Sequence, residues 1–252
     1  MVTADEFEET FAPEPGRREI QRPPGFRPGS PPPWAELPET SLRSISLDQA
    51  LEALRTTLGP AAPLGPVLPG RDAAVLVPLF EELGEARVIL TVRSDQLRSH
   101  RGQVAFPGGR LDPDEGIVDG ALREASEEVG IVPASVTVVG MLSSTPTVSS
   151  DLVMTPVVGS LPGRPEVRAN PGEVERVFDV ALSELVAPGT FHEELWLLRG
   201  WGGGGPIPVW FFDVDGETVW GATARVLVEL ICLVLGFEFH PPGLSRTGPN
   251  RA

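Results

Sequence analysis

The chain has 252 residues, a formal net charge of −15 and a single cysteine, Cys232. The excess of negative charge excludes a non-specific nucleic-acid binder, because the phosphate backbone repels an acidic surface. One cysteine excludes an intrachain disulfide, and the length allows one large domain or two small domains with a sizeable core.

The N-terminal segment is rich in proline and poor in periodic apolar residues. Residues 1–40 contain nine prolines, which lack an amide donor and restrict the backbone. We therefore predict a disordered extension over residues 1–41, whose removal should leave the fold intact, a domain over 42–240 and a flexible tail over 241–252. The sequence has neither a secretory signal pattern nor an apolar run that could span a bilayer, so a cytoplasmic protein without a membrane partner is expected.

A helix is predicted directly after this extension. Ser46 suits the N-cap position, apolar residues recur at helical spacing from Leu47 to Leu58, and Gly59 can end the helix. Because these residues form one apolar stripe, we expect the helix to dock on the domain.

Apolar, β-branched runs farther along the chain predict strands. The first two, "AAVLVPLF" and "ARVILTVR", are joined by the turn-rich "EELGE", and Asp215-Gly216 predicts a second hairpin. A last helix from Ala222 to about Leu235 is apolar on most sides and should pack into the core. Together these elements predict an α+β domain in which helices pack on a sheet of mixed strands.

The stretch 118–129 predicts a helix that carries a cluster of carboxylates. Its apolar face is formed at helical spacing by Val118, Leu122, Ala125 and Val129. At about 100° per residue, the opposite side, which points away from the core, holds Glu124, Glu127 and Glu128. Three carboxylates on one face suit a hard divalent cation such as Mg²⁺, whereas a solvated acidic helix face is the alternative that the cluster alone leaves open.

The residues around this cluster follow a longer pattern. From Gly109 to Ile131 the chain matches G-x5-E-x7-R-E-U-x-E-E-x-G-U, with Ala125 where a larger aliphatic residue is common. This stretch resembles the signature of the Nudix hydrolases. The resemblance implies a Nudix fold, which is an αβα sandwich with a mixed β-sheet, and hydrolysis of a nucleoside diphosphate linked to another moiety with Mg²⁺ or Mn²⁺ as cofactor.

Residue roles follow from the same resemblance. The implied metal ligands are Glu124, Glu127, Glu128 and a backbone carbonyl near Gly108. The implied catalytic set is Glu127, Glu128, Glu173 and Arg123. Which glutamate takes the proton from the attacking water is left open. Arg123 is expected to tie the loop to the helix together with Glu115, with a contact to phosphate as the alternative.

The stretch just upstream, "ILTVRSDQLRSHRGQVAFPGG", carries a second motif. It resembles L-L-T-x-R-[S/A]-x3-R-x3-G-x3-F-P-G-G of the coenzyme A pyrophosphatases, a Nudix subgroup, with Ile89 in place of the first leucine. The resemblance implies hydrolysis of coenzyme A, or of its acyl or oxidised derivatives, to 4′-phosphopantetheine and adenosine 3′,5′-bisphosphate. Guanidinium groups bind phosphate in a bidentate manner, so Arg93, Arg98 and Arg101 are the expected substrate contacts, with ordinary surface arginines as the alternative.

Two other functions stay open at this stage. One is a Nudix hydrolase of a different nucleotide, such as a dNTP or ADP-ribose. The other is a nucleotide-sensing Nudix domain without catalysis, although all the glutamates of the motif are present. The expected partner is a small nucleotide resembling coenzyme A, and a homodimer is left open.

Overall fold

The computed structural model describes residues 20–58, 72–97, 100–147, 152–198 and 204–240. The predicted helix stop at Gly59, the predicted phosphate ligand Arg98 and the tail 241–252 lie outside these ranges. The helices are α1 (Glu39–Leu42), α2 (Leu47–Thr57), α3 (Ile117–Val129), α4 (Leu182–Leu185) and α5 (Gly221–Val234). The strands are β1 (Arg27–Pro28), β2 (Asp72–Glu82), β3 (Glu85–Arg93), β4 (Val104–Ala105), β5 (Gly108–Arg110), β6 (Thr137–Met141), β7 (Thr145–Pro146), β8 (Val153–Ser160), β9 (Val174–Ala181), β10 (Phe191–Trp196), β11 (Ile207–Val214) and β12 (Glu217–Trp220).

The larger sheet is mixed. Its strand order is β4-β3-β2-β8-β6, while β5 pairs with β2, β7 with β8 and β9 with β3. Strands β2 and β8 run parallel, and β2 and β3 form the predicted antiparallel hairpin. The turn of this hairpin places Leu83 and Gly84 at φ values of 55° and 80°, a conformation that suits the twist of a two-residue turn.

A smaller antiparallel sheet has the order β1-β10-β11-β12. Its β11–β12 hairpin turns at Asp215 and Gly216, which have φ values of 51° and 75°, so the predicted hairpin is confirmed. The strands of this sheet carry several tryptophans, and residues of the sheet line part of the cavity described below.

Helices cover both faces of the larger sheet. On one face, Ala121, Ala125 and Val129 of α3 pack with apolar side chains of β2. On the other face, residues such as Leu54 of α2 and Leu227 of α5 belong to a separate apolar cluster. The predicted α+β class, with an αβα arrangement around a mixed sheet, is confirmed. None of the helices described above has the length and apolar character that crossing a membrane requires.

Helix α2 begins as its sequence predicts. The Ser46 hydroxyl accepts a hydrogen bond from the amide of Gln49 at 3.3 Å, and the Gln49 side chain accepts from the amide of Ser46 at 3.1 Å. This reciprocal pair satisfies two amides that a helix start leaves without partners.

The described part of the N-terminal extension differs from the prediction. Residues 20–41 pack on the domain: β1 pairs with β10, and Trp34 is only 2% exposed, with its ring 5.3 Å from that of Phe191. The prediction rested on proline content, which excludes regular structure but does not prevent packing. A proline can occupy a short edge strand, and a single tryptophan buries a large apolar area. Within the described residues, the packed region therefore begins before residue 42.

Candidate active site

Helix α3 lies close to the sheet because its inward face is made of small residues. Ala121 and Ala125 are fully buried, and Gly120 leaves space that the Leu111 side chain fills. The helix ends at Gly130, whose φ of 76° is the left-handed conformation that favours glycine, and whose amide donates to the Ser126 carbonyl at 3.0 Å. Both features set the position of the carboxylates along the helix.

The three carboxylates of α3 do not share one environment. Glu128 is 3% exposed, whereas the side chains of Glu124 and Glu127 are 16% and 57% exposed. The prediction that all three point away from the core is therefore wrong for Glu128. Glu128 follows the buried Ala121 by seven residues. Seven residues turn an α-helix to within about 20° of the same direction, so Glu128 lies on the same buried side as Ala121.

Glu128 is held between a backbone amide and an arginine. Its Oε2 accepts a hydrogen bond from the amide of Gly108 at 3.0 Å, and its Oε1 lies 3.7 Å from Nη1 of Arg93. Burial raises the pKa of Glu128 to about 7, and the negative charges of Glu124 and Glu173 add to this, while Gly108 and Arg93 oppose it. A carboxylate with such a pKa suits proton transfer at neutral pH.

The two glycines that precede the site are required by close packing. A Cβ at Gly109 would come within 2.5 Å of Oε2 of Glu124, and a Cβ at Gly108 would overlap the carbonyl oxygen of Ala74. The backbone of β5 therefore lies directly against the Glu124 carboxylate. Burial raises the pKa of Glu124, an effect that Arg123 opposes.

Arg123 joins the loop before α3 to the helix. Its Nε donates to Glu115 at 2.8 Å, and its Nη2 donates to the carbonyl of Arg110 at 3.1 Å. Its Nη1 lies 3.0 Å from Glu124 and 3.2 Å from Glu127. The hydrogen bonds that Arg123 donates to Glu115, together with the neighbouring carboxylates, raise the pKa of Arg123, so the guanidinium stays charged. Arg123 therefore offsets the repulsion between the glutamates.

A cavity of about 620 Å³ opens beside these residues, a size typical of small-molecule sites. Of the residues predicted from the sequence, its wall includes Glu124, Glu128, Glu173, Arg93 and Gly108. The wall does not include Glu127, Arg123 or Arg101. Arg101 is exposed, and its Nε donates to the carbonyl of Leu97.

Glu173 approaches α3 from the loop that leads into β9. Its backbone carbonyl accepts from the amide of Ser94 at 2.8 Å, and its amide donates to the carbonyl of Asn170 at 2.9 Å. These bonds attach the loop to the end of β3. The charge of Glu173 contributes to the raised pKa of both Glu124 and Glu128, which shows that the three carboxylates lie within electrostatic range.

The cavity wall also contains residues that the sequence did not single out. They are Trp196, Trp210, Trp220, Thr223 and Arg225. The tryptophans come from three different strands, so no local spacing connects them. Arg225 lies in the apolar helix α5, and the sequence offered one signal for it: a charged residue on a helix face that is otherwise buried.

The carboxylate side chains suit a hard divalent cation, although their oxygens do not converge on one point. Among the described residues, no group of three or more His, Cys, Asp or Glu side chains is arranged to hold an ion. Arg123 holds one oxygen each of Glu124 and Glu127, while Glu128 faces Gly108. Carboxylate oxygens are the preferred ligands of Mg²⁺ and Mn²⁺, and a bound cation would offset the repulsion from neighbouring carboxylates that adds to the effect of burial on the pKa of Glu124 and Glu128.

Comparison with known proteins adds an independent result. A family model described as "NUDIX domain" matches residues 70–198. A Citrobacter koseri protein named uncharacterized Nudix hydrolase NudL is 41% identical over 167 residues, which are 66% of this chain and 84% of that protein. A Shigella flexneri protein of the same name is 39% identical over 189 residues, or 75% and 94% of the two chains. The solved structure of a MutT/nudix family protein from Enterococcus faecalis is 16% identical, with a TM-score of 0.43 over 77% of this chain and 76% of that chain.

Proposed function

Since this chain belongs to the Nudix hydrolase family, we propose that it hydrolyses the diphosphate bond of coenzyme A, or of an acylated or oxidised derivative. The products are 4′-phosphopantetheine and adenosine 3′,5′-bisphosphate. The coarser activity, hydrolysis of a nucleoside diphosphate derivative, follows from the family itself. The more specific assignment, coenzyme A, depends on where the residues of the second sequence motif lie relative to the cavity.

One observation carries the proposal: Arg93 of the upstream motif faces the same cavity as the carboxylates of α3. Its Nη1 lies 3.7 Å from Glu128, and its buried Nε has no hydrogen-bond acceptor among the described residues. The same motif supplies Phe106, which is 2% exposed in the core, and Gly108, which binds Glu128. An arginine whose side chain is 26% exposed at the wall of the cavity, beside the carboxylates, suits a phosphate oxygen.

The lining of the cavity also favours a substrate with an apolar part. Besides Glu124, Glu128 and Arg93, the lining includes tryptophans of the smaller sheet. A dNTP carries a group, its nucleoside, at only one end of its phosphate chain, whereas the diphosphate of coenzyme A carries a group at each end. Coenzyme A carries a long, neutral arm on its diphosphate, and this arm matches the lining chemically.

Different residues of this chain have different roles in the proposed reaction. Glu124, Glu127 and Glu128 would hold Mg²⁺ or Mn²⁺, which when bound neutralises diphosphate charge and lowers the pKa of bound water. Glu128, Glu127 or Glu173 accepts the proton of the attacking water. Arg93 orients a phosphate, and Arg123 keeps the glutamates at the correct separation from the loop at Arg110.

The cellular setting belongs to the same proposal. Cys232 is buried, and burial raises the pKa of its thiol to about 11, so it is an inert core residue. The substrates proposed here are small metabolites. We place the protein in the cytoplasm on these grounds, with no nucleic-acid or membrane partner.

The proposal is tested by product analysis. The purified chain is incubated with Mn²⁺ or Mg²⁺ and with coenzyme A, acetyl- and malonyl-coenzyme A, ADP-ribose, NADH and dNTPs, and products are identified by mass. We expect adenosine 3′,5′-bisphosphate from the coenzyme A compounds at the highest kcat/KM. A higher kcat/KM for a dNTP or ADP-ribose would assign a different substrate, and no turnover of any compound would favour a nucleotide sensor.

A further inference from the structure

Arg110 is a charged residue of the cavity wall that neither sequence motif singled out. It is the last residue of β5 and directly follows Gly109. Among the described residues, the arginines of the cavity wall are Arg93, Arg110 and Arg225. Arg225 is buried and Arg93 is partly buried, whereas Arg110 is exposed, so the donors of Arg110 are accessible to a ligand.

The pairing of β5 with β2 places the Arg110 side chain on the cavity side of the sheet. Arg110 pairs with Ala73, and Gly109 pairs with Ala74. Successive residues of a strand point to opposite faces, and residues directly opposite each other in a strand pair share a face. Ala74 packs with α3 in a buried apolar cluster, whereas Ala73 lines the cavity. Arg110 therefore shares the face of Ala73.

The backbone of Arg110 lies next to the carboxylates of α3. A Cβ at the preceding residue, Gly109, would come within 2.5 Å of Oε2 of Glu124. The carbonyl of Arg110 accepts from Nη2 of Arg123 at 3.1 Å, which fixes the main chain from which the side chain extends. Since an arginine side chain is long and flexible, its guanidinium can reach an anion that binds beside Glu124.

The guanidinium of Arg110 has no partner within the described part of the chain. It makes no ion pair and no hydrogen bond there, although the protein carries 35 acidic side chains against 20 lysines and arginines. By contrast, Arg123 lies 3.0 Å from Glu124, and Arg93 lies 3.7 Å from Glu128. An accessible, unpaired arginine beside a carboxylate site is available to an anionic ligand.

The position of Arg110 favours the diphosphate of a substrate over any other phosphate group. The diphosphate is the group that a cation held by the carboxylates would contact, and Arg110 lies beside those carboxylates. A guanidinium can bind two phosphate oxygens at once and so neutralise charge that a divalent cation leaves unbalanced. Positioning and neutralisation of phosphate charge are the main sources of catalysis in reactions at phosphorus.

We propose that the guanidinium of Arg110 binds oxygens of the substrate diphosphate in a bidentate manner. The inference rests on the proposed hydrolysis of a diphosphate bond, but not on coenzyme A as the particular substrate. Because the diphosphate is common to all nucleoside diphosphate derivatives, Arg110 contributes to affinity and turnover rather than to the choice between such substrates.

The test compares variants of Arg110 with a matched arginine elsewhere. Arg110→Gln removes the charge, and Arg110→Lys keeps the charge but loses the bidentate geometry. The control is Arg55→Gln, because Arg55 is also exposed and unpaired among the described residues but lies in α2, outside the cavity lining.

Two measurements are made on each protein. Binding of methylenediphosphonate, a diphosphate analogue whose carbon bridge is not hydrolysed, is measured by calorimetry at a fixed Mg²⁺ concentration. The kcat/KM is measured with coenzyme A, dephospho-coenzyme A, which lacks the 3′-phosphate, and ADP-ribose.

We expect Arg110→Gln to bind methylenediphosphonate about tenfold more weakly or worse, as for the loss of a hydrogen bond to a charged group. The kcat/KM should fall by a similar factor for each substrate that the natural chain hydrolyses, because the lost contact is to their common diphosphate. Arg110→Lys should recover part of the loss, and Arg55→Gln should behave as the natural chain does.

Other outcomes would overturn the inference. Equal binding of methylenediphosphonate by Arg110→Gln and the natural chain, or none by the natural chain, would exclude Arg110 from a diphosphate site. A loss confined to coenzyme A, with dephospho-coenzyme A and ADP-ribose unaffected, would assign Arg110 to the 3′-phosphate. A similar loss in Arg55→Gln would show an effect of net charge alone. Failure of the proposed function looks different: coenzyme A is not hydrolysed, yet the analogue still binds through Arg110, which supports the inference.

Discussion

At the scale of single residues, the site depends on carboxylates placed where their charge is costly. Glu128 is buried against Gly108, and Glu124 lies against the backbone of Gly109. Arg123 moderates this repulsion from the solvent side, and Arg93 moderates it from the cavity. Such an arrangement is poorly suited to stability but well suited to holding a cation and moving a proton.

The first prediction concerns Glu128. Changing Glu128→Gln should lower kcat by about two orders of magnitude or more, since one ligand or base contributes several kcal/mol to catalysis. Melting temperature should stay unchanged or rise, because a buried carboxylate with a raised pKa is removed. The matched control is Glu166→Gln, which changes an exposed glutamate outside the cavity lining. Full activity in Glu128→Gln would exclude this residue from the site.

The second prediction concerns the close packing at Gly109. A Gly109→Ala change places a methyl group 2.5 Å from the Glu124 carboxylate, which must then turn away. We expect a folded protein that has lost about tenfold or more in kcat, as for a misplaced catalytic group. Gly163→Ala is the control, because its added methyl group has no neighbour within 4 Å. Normal kcat in Gly109→Ala would show that the position of Glu124 is not critical.

At the scale of elements, the smaller sheet and the N-terminal segment form one unit. Strand β1 pairs with β10, and Arg22 lies 2.7 Å from Glu194. Ile20 and Phe26 pack on the apolar cluster that contains Trp196, a residue of the cavity wall. The segment therefore contributes to the fold and, indirectly, to the cavity.

The third prediction follows from this packing. A chain that begins at residue 42 loses β1 and Trp34, whose burial is worth about 3–5 kcal/mol by comparison with tryptophan-to-alanine changes in cores. Its urea midpoint should therefore fall clearly. A chain that begins at residue 20 keeps every contact described here and is the control. Equal midpoints for the two truncated chains would show that residues 20–41 contribute nothing to stability.

The fourth prediction concerns pH and Glu194, which connects the same elements. Burial raises the pKa of Glu194, but hydrogen bonds from His192, Arg22 and Trp196 outweigh it and leave the pKa below the ordinary value of 4.5. A lowered pKa adds stability above pH 4.5 that is lost as pH falls through the lower folded value. Urea unfolding should show this loss below pH 4.5, and it should be smaller in Glu194→Gln. An equal acid dependence in both proteins would contradict the assignment.

At the scale of the whole molecule, binding at the carboxylates should be linked to folding. The fifth prediction is that Mn²⁺ or Mg²⁺ raises the melting temperature, because at a hundredfold excess over Kd a ligand adds about 2.7 kcal/mol to the folded state. Removal of the ion with EDTA should abolish hydrolysis. A Glu124→Gln, Glu128→Gln double variant should show no rise, and K⁺ at equal ionic strength is the control for salt. A rise in the double variant would place the ion elsewhere.

The sequence by itself determined the local elements and the family. Helix α2 begins at its predicted cap, the hairpins turn at the predicted residues, and the pattern from Gly109 to Ile131 identifies the acidic helix. These features depend on neighbours along the chain, whose spacing the sequence displays directly. The same pattern could not show that Glu128 is buried, because the direction of the sheet relative to α3 decides which flank of the helix is covered.

Only the tertiary structure decided which distant residues share the cavity. It brought Glu173 and Arg93 to the carboxylates, left Glu127 and Arg101 outside the lining, and placed tryptophans from three strands in the wall of the same cavity. It also packed residues 20–41, because burial of Trp34 depends on a surface formed by strands far along the chain. Such contacts arise from hydrophobic burial, which has no direction and no fixed spacing in sequence, so composition and periodicity could not reveal them.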